Sequence, residues 1–407
     1  MNIWYFNHYA GGPGFGKYLR SFHLAKHWQD AGHRCTVFVA GYHHLLAQPL
    51  PPRLTAEGVD YAALPARRYE GNGIGRLLNI WDFCRAMPTV ANRTAEFGVP
   101  DAIILSSAPP MGIFAARSLA DRFRAKLVFE VRDLWPLSIT DIAGKSPLHP
   151  LAIVSGISQR FAYRHADLCA SLLGNAEHYM REHGLRGAFV HVPNGYEPHQ
   201  STEPRTPDGR SALDQVRKWQ SEGKIVIIHP GAQGVPNALD VLVDAYRLLV
   251  ESGEAHRIAI LLLGEGTETE RLKLASRDYP DIGFFPNLPK TEALFLTEAS
   301  DIGYAGARDH RSVYQFGISF NKITDFMGAG LPVIVPFFTR SDPVSMSQCG
   351  IVTDSDAPKE IASAILRLAR LTPAQRREIG LKGKVFAQTE LSYATIATRY
   401  ADAIAAA

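Results

Sequence analysis

Lys322, Asp325 and Phe326 stand three and four residues apart in GISFNKITDFMGAGLPVIVP, the stretch from Gly317 to Pro336. On a helix that spacing places them on one face. A helix that starts after a Gly-Ile-Ser loop offers unpaired backbone N–H groups to an anion. One cation and one carboxylate beside it suit a ligand with both phosphate and hydroxyl groups. The same residues fit an ordinary αβ unit whose Lys and Asp are simply solvated. Gly328 and Gly330 are expected to end the helix. Leu331 to Val335, short, apolar and β-branched, then reads as a buried parallel strand.

A second candidate pair is Arg132-Asp133, within FEVRDLWP from Phe129 to Pro136. It follows a predicted strand, Lys126 to Val131. In open α/β sheets the carboxyl ends of strands are where ligands bind. A structural Arg–Asp pair is the alternative. A third candidate is the glycine-rich turn containing Gly11, Gly12 and Gly14, where the backbone can approach a ligand closely. It does not fit the dinucleotide fingerprint, and Ala40-Gly41 stands where an acidic residue would end the second strand. A tight turn with no ligand is the alternative there. Arg67, Arg68 and Arg76 flank EGNGIG, as a substrate-gripping segment or as a solvated loop.

Strands and helices alternate around these residues. Strands are predicted at Ile3 to Phe6, Cys35 to Ala40, Asp101 to Leu105, Lys126 to Val131, Leu168 to Leu172 and Phe189 to Val192. Residues 43–75 read as irregular. PNGY, Pro193 to Tyr196, is a turn, and from Gly195 to about Lys224 the chain reads as a polar linker. The alternation then restarts at Ile225 to His229, Ile258 to Leu263, Ile282 to Phe285, Ile302 to Tyr304 and Gly350 to Thr353. Helices follow from Pro358 to Leu371 and Thr372 to Glu390, with a last amphipathic one from Ser392 to Ile404. Two parallel sheets, each flanked by helices, are the natural reading.

Composition narrows the class. The chain has 407 residues, enough for two or three domains, and 46% are hydrophobic. No apolar run approaches the ~20 residues of a membrane-spanning helix. The opening strand leads to the expectation of no signal peptide. The four cysteines, Cys35, Cys84, Cys169 and Cys349, form no CxxC pair and read as reduced thiols of a cytoplasmic protein. Residues 1–195 hold 20 Lys and Arg against 14 Asp and Glu, and residues 196–407 hold 23 against 26. A basic first half suits an anionic partner, such as a phosphate-bearing substrate or the anionic face of a membrane. The basic residues form no dense cluster of the kind that binds nucleic acid.

Several segments, taken in order, resemble the retaining GT-B glycosyltransferases of family four. They are GGPGFG near the start, PNGY at the expected boundary, PGAQG followed by LDVLVDAY, LLLGEG, and DFMGAGLPVI from Asp325. FEVRDLWP, GNGIGRLLN and GISFNK resemble a subgroup that builds bacterial surface polysaccharide, including transferases of 6-deoxy amino sugars. The resemblance covers nearly the whole chain. It implies an α/β GT-B fold: two Rossmann-like, doubly wound domains facing a central cleft. Residues 1–195, completed by a helix at about 388–407, would bind the acceptor, and residues 196–387 the nucleotide-sugar donor.

The resemblance also assigns residues. Asp325 matches the carboxylate that grips the nucleotide ribose. Gly11, Gly12 and Gly14 match the turn near the donor phosphates. Gly231 opens the loop that usually carries the pyrophosphate cations, and Leu288 lies where the base meets backbone. Asn321 and Arg308 complete the expected donor set. This sequence departs from the pattern at three points. The first of two glutamates is replaced by Gly317, the loop cations by Ala232 and Asn237, and a histidine by Arg132. Lys322, Arg308 or Arg311 must then supply the positive charge. Asp133 is expected to orient or deprotonate the acceptor, with Arg132 as charge support and Lys322 as the catalytic cation.

The expected donor is a UDP-sugar and the expected acceptor a lipid-linked or other saccharide in cell-surface polysaccharide synthesis. No cofactor is expected, and no metal, because the acids near the expected cleft are dispersed. The protein would sit in the cytoplasm, in peripheral contact with the anionic inner face of the membrane. A UDP-amino-sugar epimerase and a non-catalytic sugar-nucleotide binding protein are the rival readings.

Overall fold

A computed structural model describes residues 1–71, 73–107, 109–198 and 200–407. Asn72 of the EGNGIG segment, Ala108 of the turn after the third predicted strand and His199 of the expected linker lie outside the described residues. The chain divides into two compact units. Unit 1 is Met1–Asn194 with Tyr393–Ala407, and unit 2 is Gly195–Ser392.

Unit 1 is built on one sheet. Its strands are β1 (Asn2–Phe6), β2 (Arg34–Ala40), β3 (Arg53–Ala56), β4 (Val59–Leu64), β5 (Ala102–Ser106), β6 (Lys126–Val131), β7 (Leu168–Ser171) and β8 (Ala188–His191). They lie in the order β3-β4-β2-β1-β5-β6-β7-β8. All neighbours are parallel except β3 and β4. Because side chains alternate along a strand, Ile3, Tyr5, Val37 and Val39 share one face. There they pack with Trp28 of the Arg20–Asp30 helix and Tyr400 of the Tyr393–Ala406 helix. Trp28 Nε1 donates to the Ala397 carbonyl at 2.9 Å, which ties the last helix to the first. Trp4 and Phe38 occupy the opposite face, with Phe97 and Phe123.

Two local readings need correction. Residues 43–75 are not irregular throughout: β3 and β4 form an antiparallel hairpin there. Glu57 and Gly58 form its two-residue turn, with φ of 46° and 87°. Two successive positive φ values are what such a turn demands, and Gly at the second supplies one at no steric cost. Residues Ile74–Ala86 are a helix. The expected linker contains a helix too, Pro207–Ser221, capped by Thr206, whose Oγ1 accepts from Gly209 N at 3.1 Å.

Unit 2 also has a single sheet: β9 (Ile225–Pro230), β10 (Ile258–Leu263), β11 (Ile282–Phe285), β12 (Ile302–Tyr304), β13 (Val333–Val335) and β14 (Gly350–Val352), in the order β11-β10-β9-β12-β13-β14. Every pairing is parallel. The strand expected from Leu331 is shorter and begins at Val333. Ile225, Ile227 and Ile334 pack against the Leu239–Glu251 and Pro358–Ala369 helices. Val226, Ile228, Val333 and Val335 pack on the other side with Trp219, Phe326 and Met327. In the Asn321–Gly328 helix the two glycines have different tasks. Gly330 takes the left-handed cap, with φ of 74°. Gly328 makes room for the Tyr196 ring, since a Cβ there would lie 2.2 Å from Tyr196 Cε2.

Candidate functional site

The residues of unit 2 that could meet an anion gather at the carboxyl ends of β9, β10 and β12. Gly231, just past β9, has φ of 135°. Gly264, just past β10, has φ of 126°, and a Cβ on it would lie 2.1 Å from the Gly231 carbonyl. The two loops can meet this closely only without a side chain at Gly264. Gly306, past β12, is as crowded: its Cβ would lie 2.6 Å from the Asn237 carbonyl and 3.3 Å from His229 Cε1.

Lys322 reaches into this cluster. Its Nζ donates to Asn237 Oδ1 at 3.0 Å and to the Gly306 carbonyl at 3.3 Å. An ammonium has three N–H donors, so two neutral acceptors leave one free. Lys322 has no carboxylate partner among the described residues, and burial pushes its pKa down to about 8. His229 lies beside it, fully buried at the end of β9. Its Nδ1 is 2.9 Å from the Tyr304 carbonyl, so Nδ1 carries the proton and Nε2 is a bare acceptor. That Nε2 has no partner among the described residues. Burial first, and then the Lys322 charge, hold the imidazole pKa far below its usual value. The ring is therefore neutral at physiological pH.

The other expected cations are already engaged. Arg308 Nη2 donates to Asp240 Oδ1 at 2.8 Å and Oδ2 at 3.0 Å, with Asp356 3.7 Å from Nη1. Arg311 donates to the Asp354 carbonyl and lies over the Phe338 ring at 4.4 Å. Asp325 pairs with Lys290. Lys322 and Asp325 thus start from neighbouring positions and meet different partners, while Phe326 points into the core, where a Cβ on Gly303 would strike its ring at 2.4 Å. Leu288 is half-buried and packs against the core that holds Trp219 and Phe326. Asn321 is exposed at the helix start.

In unit 1 the candidate residues lie beyond β1 and β6. Gly11 N donates to the Tyr18 carbonyl at 2.9 Å, and Gly12 and Phe15 exchange backbone hydrogen bonds of 2.8 and 2.9 Å. Gly14, at the tip, has φ of 83°. Arg132 N donates to Ser107 Oγ at 3.0 Å, and its guanidinium lies 5.2 Å from the centre of the Tyr18 ring. The glycine turn and the Arg132 loop are thus brought together through Tyr18. Asp133 is exposed. Crowding by nearby protein pushes its carboxyl up and Arg132 pulls it back, and the solvent that reaches it limits the push.

Arg67, Arg68 and Arg76 act locally rather than as a free gripping segment. Arg67 forks onto Asp82 at 2.6 and 2.9 Å, Arg68 lies over Tyr42 at 5.9 Å, and Arg76 Nε donates to Tyr9 Oη at 3.0 Å.

Beneath the Arg132 loop is a buried network that sequence patterns did not reveal. Glu130 is 0% exposed on β6. It accepts from Tyr5 Oη at 2.7 Å, Ser106 Oγ at 3.0 Å, and Arg20 Nε and Nη2 at 3.2 and 3.0 Å. Arg20 Nη2 also donates to the Val192 carbonyl at 2.8 Å. Burial alone would raise the Glu130 pKa, but Arg20, Tyr5 and Arg132 together hold it below the usual range. A charged residue inside an apolar strand (KLVFEV) was the signal, since an unpaired carboxylate there would not be tolerated. Among the described residues no group of three or more His, Cys, Asp or Glu is arranged to hold a metal ion.

Residues 14–195 match the model of the Glycosyl transferase 4-like domain. No curated protein sequence matches the chain. Solved structures match along its whole length. Sucrose-phosphate synthase from Thermosynechococcus elongatus is 15% identical with a TM-score of 0.71, covering 100% of this chain and 99% of that one. WaaG, a glycosyltransferase involved in lipopolysaccharide biosynthesis, is 14% identical with a TM-score of 0.64, covering 100% of each chain. Trehalose-6-phosphate from E. coli bound with UDP-2-fluoro glucose is 12% identical with a TM-score of 0.71, covering 99% and 98%. Two parallel-sheet units with this likeness define the GT-B fold.

Proposed function

We propose that this GT-B chain is a retaining glycosyltransferase that moves a sugar from a UDP-sugar to a lipid-linked saccharide during cell-surface polysaccharide synthesis. The observation that carries the reading is Lys322, an ammonium with one free donor and no carboxylate partner among the described residues, set beside the close-packed glycine loops at the carboxyl ends of β9, β10 and β12. A nucleoside diphosphate leaving group needs such charge beside it. We assign the donor to unit 2 and the acceptor to unit 1. Asp325 would bond the ribose hydroxyls, after giving up or sharing Lys290.

In the proposed reaction an acceptor hydroxyl attacks the anomeric carbon from the face that the diphosphate leaves. The new C–O bond forms as the sugar–phosphate C–O bond breaks, and its electron pair departs on the phosphate oxygen. The hydroxyl proton passes to that oxygen or to Asp133. Lys322 stabilises the growing phosphate charge, and Arg132 supports Asp133. We place the step without a metal and the protein at the cytoplasmic face of the membrane.

The test is incubation with UDP-sugars, with and without a polyprenyl-diphosphate-linked saccharide or a water-soluble analogue of it. Sugar on the acceptor, with the anomeric configuration kept, is the expected outcome. Isomerised donor without transfer would mean an epimerase. Binding with no turnover would mean a sugar-nucleotide binding protein.

A further inference from the structure

Two helices of unit 1 carry apolar side chains on the side that faces water. The Pro150–His165 helix buries Ala152, Ser155, Gly156, Ser158, Gln159, Ala162 and Tyr163. It exposes Ile153, Val154 and Ile157, the last at 51%. Ser155 Oγ is buried with no partner among the described residues. Folding in water favours the reverse distribution. The Ile74–Ala86 helix buries Ile80, Phe83 and Ala86, yet a second stripe of Ile74, Leu77, Leu78 and Trp81 is exposed, Ile74 at 74% and Trp81 at 64%. Those positions follow the i, i+3, i+4, i+7 pattern of one helix face.

The two helices share one packing partner. Both helices pack on the Pro110–Gly112 turn. Exposed Phe114, just after that turn, meets Phe161 with ring centres 4.7 Å apart. Single exposed apolar residues are normal on a protein surface, but a run across adjacent helices marks an interaction surface.

Charge identifies the occupant. Residues 142–166 contain Lys145, Arg160 and Arg164 and no Asp or Glu. Exposed Arg160 and Arg164 continue the stripe from Ile157 by three and seven residues, and exposed Arg85 follows Trp81 by four. A second copy of the chain would set arginine-tipped stripes of one sign against each other. An anionic bilayer accepts both parts: apolar side chains enter the acyl boundary, Trp sits at headgroup level, and Arg reaches the phosphates.

We propose that the face formed by the Ile74–Ala86 and Pro150–His165 helices docks onto an anionic lipid bilayer. This rests on the lipid-linked-acceptor reading above and specifies the surface that meets the membrane.

The experiment is flotation of the full chain with vesicles of phosphatidylglycerol and phosphatidylethanolamine, against phosphatidylcholine alone. The wild type should float with the anionic vesicles. Trp81→Ser with Ile157→Ser should lower the partition by on the order of a hundredfold, because each removes a large apolar group from the acyl boundary. Trp81→Phe with Ile157→Leu should restore it, which separates lost contact from lost folding. Arg160→Gln with Arg164→Gln should remove most of the preference for anionic lipid and flatten its salt dependence. The proposal is overturned if the serine variant floats as the wild type does, or if the wild type floats with neither vesicle. It is also overturned if the wild type is a dimer that the serine substitutions disperse without any vesicle binding. Transfer to a water-soluble acceptor, measured on the same proteins, separates the two readings. Normal flotation without transfer sinks the enzymatic reading alone, and normal transfer without flotation sinks the docking face alone.

Discussion

At the scale of single residues the strongest expectation concerns Lys322. If its free N–H meets a phosphate whose charge grows as the bond breaks, Lys322→Ala should cut kcat by on the order of 10²-fold with a smaller change in KM. A near-normal kcat in steady-state kinetics would reject the role. Titration gives a second check. The Lys322 pKa is lowered to about 8 in the folded chain, against about 10.4 in an unfolded one. Between those values the unfolded state holds the extra proton, so this residue's contribution to stability rises with pH across that window and is smallest below it. Binding of an anion should move the opposite way. UDP affinity, measured by calorimetry, should fall as pH rises through about 8, and Lys322→Met should flatten that fall. Asp325 is a separate test: loss of a charge-assisted bond to ribose should weaken UDP binding roughly ten- to a hundredfold in Asp325→Ala. Unchanged affinity would remove it from the donor site. His229 and Lys290 were not singled out from the sequence. A histidine in a strand and a lysine at a helix start are common, and only the fold brings them beside Lys322 and Asp325.

Among the elements, the buried Arg20–Glu130 pair joins the Arg20–Asp30 helix, β1, β5, β6 and the chain after β8. Removing one partner strands a charge that burial has already stripped of water. Arg20→Ala should therefore cost about 3–5 kcal/mol of unit 1 stability, and Arg20→Met with Glu130→Leu should recover much of it. Chemical denaturation of the three proteins is the measurement, and a single variant as stable as the wild type would contradict it. Much of this layer was legible beforehand. Apolar, β-branched runs such as IVIIH and IAILLLG mark fully buried parallel strands with little ambiguity. What escaped were elements whose polarity hides them. The β3–β4 hairpin sits at the sheet edge with Arg53, Thr55 and Asp60 among its residues, and its Glu57-Gly58 turn was the readable clue. The Pro207–Ser221 helix has a wide polar face around Leu213, Val216 and Trp219, yet Thr206-Pro207 is a plain start signal. Motif order pointed to the glycine loops, but it could not tell that Asp240 occupies Arg308 or that Asn237 receives Lys322. Those are side-chain encounters between distant segments.

For the whole molecule, two cores with separate sheets predict two unfolding steps that substitutions can move independently. Truncation after Ser392 should lower the unit 1 transition, since it removes Tyr393, Ile396 and Tyr400 from beside Trp28. The unit 2 transition should stay in place in calorimetry; if both move equally, the cores are not independent. The same Trp28–Ala397 bond has a consequence for how the protein is made. The sheet of unit 1 is synthesised first, but the helix that covers Trp28 and Tyr5 is synthesised only after unit 2. At about 5–20 residues per second, the roughly two hundred intervening residues take on the order of 10–40 s to emerge. Unit 2 has all its strands before unit 1 has its final helix. During that interval the nascent chain carries an uncovered aromatic surface, and the core of unit 1 waits on a helix encoded beyond the whole of unit 2.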